Sequence, residues 1–134
     1  MLDSVKTQFV GSTVNHAPLH SRTRQPDGEP VIVLDGWQRD SPHNVANNLT
    51  WGPDGWLYGC HGVFTNSNVG KPGDPADKRQ FIDGGIWRWH PVREEFEVFA
   101  EGLSNPWGFD FNDQGQGFAT CCVIPHLFHV VQGG

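Results

Sequence analysis

The sequence is poor in helix formers: leucine and alanine are scarce, and methionine occurs once. Set against 17 glycines, 10 prolines and six tryptophans, that shortage points to short strands and turns and leaves little room for helix. No apolar run approaches the roughly 20 residues that cross a bilayer as a helix. Met1-Leu2-Asp3-Ser4-Val5-Lys6 also lacks the basic-then-apolar pattern of a signal peptide. Positive charge is short as well, with nine Lys and Arg against 15 Asp and Glu. The acidic residues are dispersed, so there is no basic patch, and nucleic acid is not an expected partner. Three cysteines, Cys60, Cys121 and Cys122, permit one disulfide at most. Neither a Cys-x-x-Cys-His for covalent haem nor paired Cys-x-x-Cys for zinc is present, so the cysteines read as small buried apolar residues.

What is present is a succession of strand and turn signals. Residues 1–30 are polar, broken by Pro18, Pro26 and Asp27-Gly28, and read as a loop or an incomplete edge strand. Val31-Ile32-Val33-Leu34 is a β-branched run halted by Asp35-Gly36. Asn48 to Trp51 and Trp56 to Cys60 flank Pro53-Asp54-Gly55, a turn whose Asp-Gly supplies the positive φ that a tight hairpin needs. After a polar, glycine-rich excursion at 61–84, Gly85 to His90 and Phe96 to Ala100 form a second hairpin around 91–95. Together these runs predict a four-stranded antiparallel meander.

The pattern then restarts. Phe109, Phe111, Gly115 and Phe118 occupy the places of Leu49, Trp51, Gly55 and Tyr58, each 60 positions later. Val31 to Gly36 likewise matches Glu97 to Gly102 in character. Four-stranded repeats of this kind are propeller blades. The expected fold is therefore all-β: residues 31–134 as a partial β-propeller of about two four-stranded blades, a fragment because closure takes four to eight. A self-contained β-sandwich of about eight strands is the competing architecture.

Strand reversal sorts the connections onto two ends. Tight turns 53–55, 91–95 and 113–115 share one; the longer loops 36–47, 61–84, 102–107 and 122–126 share the other, where a site is expected. His43, His61, His126 and His129 lie on or next to this loop-rich end, without helical metal-ligand spacing. His43 is the candidate general base, since an imidazole titrating near neutrality can accept a hydroxyl proton while hydride leaves the adjacent carbon. Asn44, Asn47 and Asn48 follow it, suited either to binding sugar hydroxyls or to capping a strand entry. Trp107 offers a stacking face to a planar cofactor or a sugar. Trp51, Trp56, Trp87 and Trp89 alternate within strands and should pack between blades.

The string His43-Asn44-Val45-Ala46-Asn47-Asn48-Leu49-Thr50-Trp51-Gly52-Pro53-Asp54-Gly55-Trp56-Leu57-Tyr58-Gly59-Cys60-His61-Gly62 resembles the membrane-bound dehydrogenase domains of planctomycetes and verrucomicrobia. Gly84 to Pro91, Ser104-Asn105-Pro106-Trp107-Gly108 and Val123 to Val131 look like later motifs of the same family, so the resemblance spans about residues 31–134. That family is similar in turn to six-bladed glucose and sorbosone dehydrogenases, which use pyrroloquinoline quinone and calcium. The resemblance implies an extracytoplasmic, periplasmic or membrane-associated oxidoreductase acting on a carbohydrate-type molecule. It also implies further blades as partners and a c-type cytochrome, fused or separate, whose haem takes the electrons. It places His43 near the catalytic histidine and matches Asn105-Pro106 to an Arg-Asn-Pro stretch that helps to hold the quinone; the loop-rich end further offers Trp107, His61 and His126 as cofactor-side candidates and Asn44 and Asn47 as substrate-side ones. Ser104 stands where the dehydrogenases have an arginine that helps to hold the quinone. Metal ligands are not identified; Asp74, Asp77 and Asp83 are scattered. The reading from another class is a non-catalytic propeller that binds glycans or a protein.

Overall fold

Alternation of side chains across short runs bounded by glycine and proline produces strands throughout the computed structural model, which describes residues 5–10, 13–18, 28–39 and 46–134. The central sheet contains β4 (Ala46–Trp51), β5 (Leu57–His61), β8 (Gly85–His90) and β9 (Glu95–Glu101), in that spatial order and antiparallel throughout. This is the expected four-stranded meander. On one side lies a three-stranded sheet of β10 (Pro106–Phe111), β11 (Gly117–Cys121) and β12 (Leu127–Val130). A second three-stranded sheet comprises β1 (Val5–Val10), β2 (Thr13–Pro18) and β3 (Val31–Leu34). The short hairpin of β6 (Ser67–Val69) and β7 (Gln80–Ile82) interrupts the β5–β8 connection. The architecture is all-β and propeller-like, a partial set of blade-type sheets. Among the described residues the sole helical element is the 3-10 turn Ala76–Lys78, and no helix is long and apolar enough to cross a membrane.

One expectation needs correction. The stretch 1–30, expected as a loop or incomplete edge strand, contains β1 and β2, paired from Val5 with Pro18 to Val10 with Thr13. The breakers Pro18, Pro26 and Asp27-Gly28 masked their short runs. The polar excursion at 61–84 also has an inward-facing part. It carries Val69 and Ile82, both fully buried, back onto the central sheet.

The 60-residue repeat is structural. β10 begins at 106 against 46 for β4, and β11 at 117 against 57 for β5. The connecting turns match bond for bond. The Gly52 N–H donates to the Trp56 carbonyl (2.8 Å) and the Gly55 N–H to the Gly52 carbonyl (3.1 Å); Asn112 to Gln116 (3.0 Å) and Gly115 to Asn112 (2.9 Å) repeat them. Gly55 and Gly115 have φ of 83° and 76°, which glycine adopts without steric cost.

Because side chains alternate, the central sheet buries both faces. One face joins Trp56, Tyr58, Cys60, Ile86 and Phe99 to Phe109, Ala119 and Val130 of the neighbouring sheet. The other joins Leu57, Trp87 and Trp89 to Leu34, Trp37, Val69 and Ile82. Trp56, Trp87 and Trp89 are buried as expected, whereas Trp51, at the end of its strand, is 44% exposed. The outer edge of β9 is blunted by Gln80, whose amide donates to the Phe96 carbonyl (2.9 Å) and accepts from the Val98 N–H (3.0 Å).

Candidate functional site

The loops after β3, β5, β9 and β11 gather at one end, as strand reversal requires. Both inner strands are distorted there: the β4–β5 register shifts between Asn47 and Thr50, and the β10–β11 register between Pro106 and Gly108. Bulges re-aim side chains. The β10 bulge turns Trp107 outward, leaving it 63% exposed beside the buried Pro106. His126 is also exposed, in the loop before β12.

Asn105 lies directly beneath this entry. It is buried at φ 44°, its Oδ1 accepts the Val63 N–H (3.3 Å), and its carbonyl accepts the Cys122 N–H (3.3 Å). One asparagine thus ties three loops together, and asparagine tolerates the left-handed region better than most residues. Phe64 and Val123, each next to a residue tied to Asn105, are also left-handed (64° and 80°) and present apolar side chains to solvent.

Asn47 lies between the sheets. Its Nδ2 donates to the Pro106 carbonyl (3.2 Å), and its Oδ1 is buried with no partner. Asn48, at φ 53°, donates to the Phe109 carbonyl (2.9 Å). The two amides hold β4 against β10. His43 and Asn44 lie outside the described residues.

His61 is fully buried and uses both ring nitrogens. Nε2 is hydrogen-bonded with Ser67 Oγ (2.9 Å), and the Gly84 N–H, whose shorter bond is to the Gly62 carbonyl (3.2 Å), also points at Nδ1 (3.4 Å). Ser67 in turn donates to the Thr65 carbonyl (3.1 Å) and accepts the Gln38 N–H (3.0 Å). His61 and Ser67 are both fully buried, so the pair is closed to solvent. Burial holds the imidazole neutral, pushing its pKa down to about 4.

The resemblance's quinone needs fixed positive charge near Ser104. Two described guanidiniums are held in ion pairs: Arg79 with Asp35 (2.6 Å) and Arg88 with Glu97 (2.6 Å). Asp74 and Asp83 accept the N–H groups of Lys71 (2.9 Å) and Thr65 (3.1 Å) in separate turns. Among the described residues no three His, Cys, Asp or Glu side chains converge as a metal site.

Sequence reasoning missed a cleft of about 470 Å³ at the tight-turn end, lined by Asp54, Tyr58, Arg88, Phe111 and His129 among others. Its polar groups satisfy one another: Tyr58 donates to Asp54 (2.8 Å) and accepts from Arg88 (3.3 Å), which lies 4.2 Å from the Trp56 ring centre. Burial first, then Asp54, raises the Tyr58 phenol to about 12 although Arg88 opposes them. The clue in sequence was the cross-strand placing of Tyr58 opposite Arg88, legible once the pairing is known.

The molecule is thus a blade-built, propeller-like β protein with an aromatic platform at its loop-rich end. A family model described as "Domain of unknown function (DUF7133)" matches residues 25–133, and the chain belongs to that family. No curated protein and no solved structure matches the chain.

Proposed function

We propose that the chain contributes to a non-catalytic, propeller-like recognition module whose loop-rich end binds a carbohydrate-type ligand. The observation that carries this reading is Trp107, a 63% exposed indole aimed outward by a bulge in an inner strand. An indole presents an apolar face to the C–H surface of a sugar, and the backbone polar groups around Asn105 are already fixed in place. Such preorganisation keeps the entropic cost of binding low.

The dehydrogenase reading stays as the second, supported by the resemblance of residues 43–62. Its base would be His43, its electron acceptor a quinone, and its onward partner a haem protein. Titrating an oligosaccharide panel into the protein, followed by calorimetry, tests the first reading. Trp107→Ala should weaken binding about tenfold or more while leaving the unfolding transition in place, because the side chain is exposed. Absence of binding to every glycan would sink it. Dye-linked oxidation of aldoses that requires pyrroloquinoline quinone and calcium, and that His43→Ala abolishes, would establish the second reading instead.

A further inference from the structure

Cys60 and Cys121 face the same core from neighbouring sheets. β5 and β11 run in the same direction, from the tight-turn end to the loop-rich end. Tyr58 on β5 meets Phe109 at 5.3 Å between ring centres, and Phe109 is the ladder partner of Ala119 on β11. Two residues further along each strand, on the same faces, stand Cys60 and Cys121. Cys60 belongs to the buried core, and Cys121 packs against that core. Their ladder partners are joined as well: Asn47 pairs with Cys60, Pro106 pairs with Cys121, and Asn47 donates to the Pro106 carbonyl. The two thiols therefore lie at one height on opposing surfaces. Each is free.

We propose that Cys60 and Cys121 are a redox pair whose oxidation links two adjacent blade-type sheets through a disulfide. The oxidant is a small-molecule disulfide. Cys121 is the attacking group, because it is partly exposed whereas Cys60 has no exposed surface. Its thiolate bonds to one sulfur of the oxidant, and the other sulfur leaves as a thiolate that takes up a proton. Cys60, once deprotonated, attacks the Cys121 sulfur and expels the second small thiol. The protein loses two protons and two electrons, and the oxidant becomes two thiols. Burial, with a smaller contribution from Cys121, pushes the Cys60 thiol up to about 12, so closure is the slow step and accelerates with pH. Cys122 is exposed, one residue past the end of β11, and is not among the residues packed against the shared core.

The test treats the 134-residue chain with oxidised glutathione, blocks remaining thiols with an alkylating reagent, and maps the peptides by mass spectrometry without reduction. The expected result is loss of two of the three thiols, a cross-linked Cys60–Cys121 peptide, and a higher unfolding midpoint that reductant restores. Cys122→Ser should still form the link; Cys60→Ser and Cys121→Ser should not. A mixed disulfide that never resolves, a Cys121–Cys122 link, or only intermolecular products would each overturn the proposal. Because no glycan enters the measurement, its outcome is separate from that of the binding reading.

Discussion

Gly59 and Trp87 face each other across the β5–β8 ladder, and a β-carbon on Gly59 would collide with the six-membered ring of the indole. The indole occupies the space that any other residue at 59 would fill, and it is fully buried there. Gly59→Ala should therefore destabilise the fold by about 1–3 kcal/mol through overpacking. Urea unfolding followed by tryptophan fluorescence measures it. A change below about 0.5 kcal/mol would mean that Trp87 has room to move.

His61 predicts a pH dependence. The unfolded chain takes up a proton at the ordinary histidine value of 6.5, whereas the folded state does so only at about 4. Stability is complete above about 6.5 and is lost as pH falls toward 4, by no more than about 3 kcal/mol. His61→Gln should be less stable at pH 7 but should show a shallower decline on acidification. Equal slopes for the two proteins between pH 6.5 and 4 would count against His61 as the source.

Arg79 holds the β6–β7 hairpin to the end of β3. Its guanidinium meets the Asp35 carboxylate (2.6 Å) and donates to the carbonyls of Asp74 (3.0 Å), Lys71 (3.2 Å) and Asn68 (3.3 Å). A lysine cannot reproduce that fork. Arg79→Lys should cost about 2 kcal/mol. Hydrogen exchange should quicken at the Asn68 and Gly70 amides, which bond to Gly36 and Asp35, while the β5–β8 ladder stays protected. Uniform loss of protection would show instead that the hairpin and the central sheet open together.

The central sheet was legible because its signals are local. Asp-Gly and Gln-Gly turns, β-branched and aromatic runs, and the 60-residue offset each survive without knowledge of the partner strand. β1 and β2 were not, since the breakers Pro18, Pro26 and Asp27-Gly28 outweighed their short runs, and neither was the inward turn of the excursion, which sets Val69 and Ile82 in a stretch that is polar overall. The candidate site was read less well. Sequence can place Asn47, His61 and Asn105 at the correct end, but it cannot tell a side chain aimed at a ligand from one committed to a neighbouring loop. That distinction depends on contacts such as Asn47 with Pro106 and His61 with Ser67 and Gly84. The cysteines were read as uniformly buried, whereas Cys121 is partly exposed and Cys122 is at the surface.

The matched turns of the two copies make the molecule its own control. Where β4–β5 and β10–β11 agree, at Gly55 and Gly115 or at Leu49 and Phe109, selection for folding alone accounts for the residue. Where they diverge, as with His61 against Cys121, each copy meets a different need: His61 bonds to Ser67, whereas Cys121 packs against the core. Exchanging residues between copies outside the bulges, Tyr58→Phe for instance, tests a position against a substitution that an equivalent backbone already accommodates at Phe118.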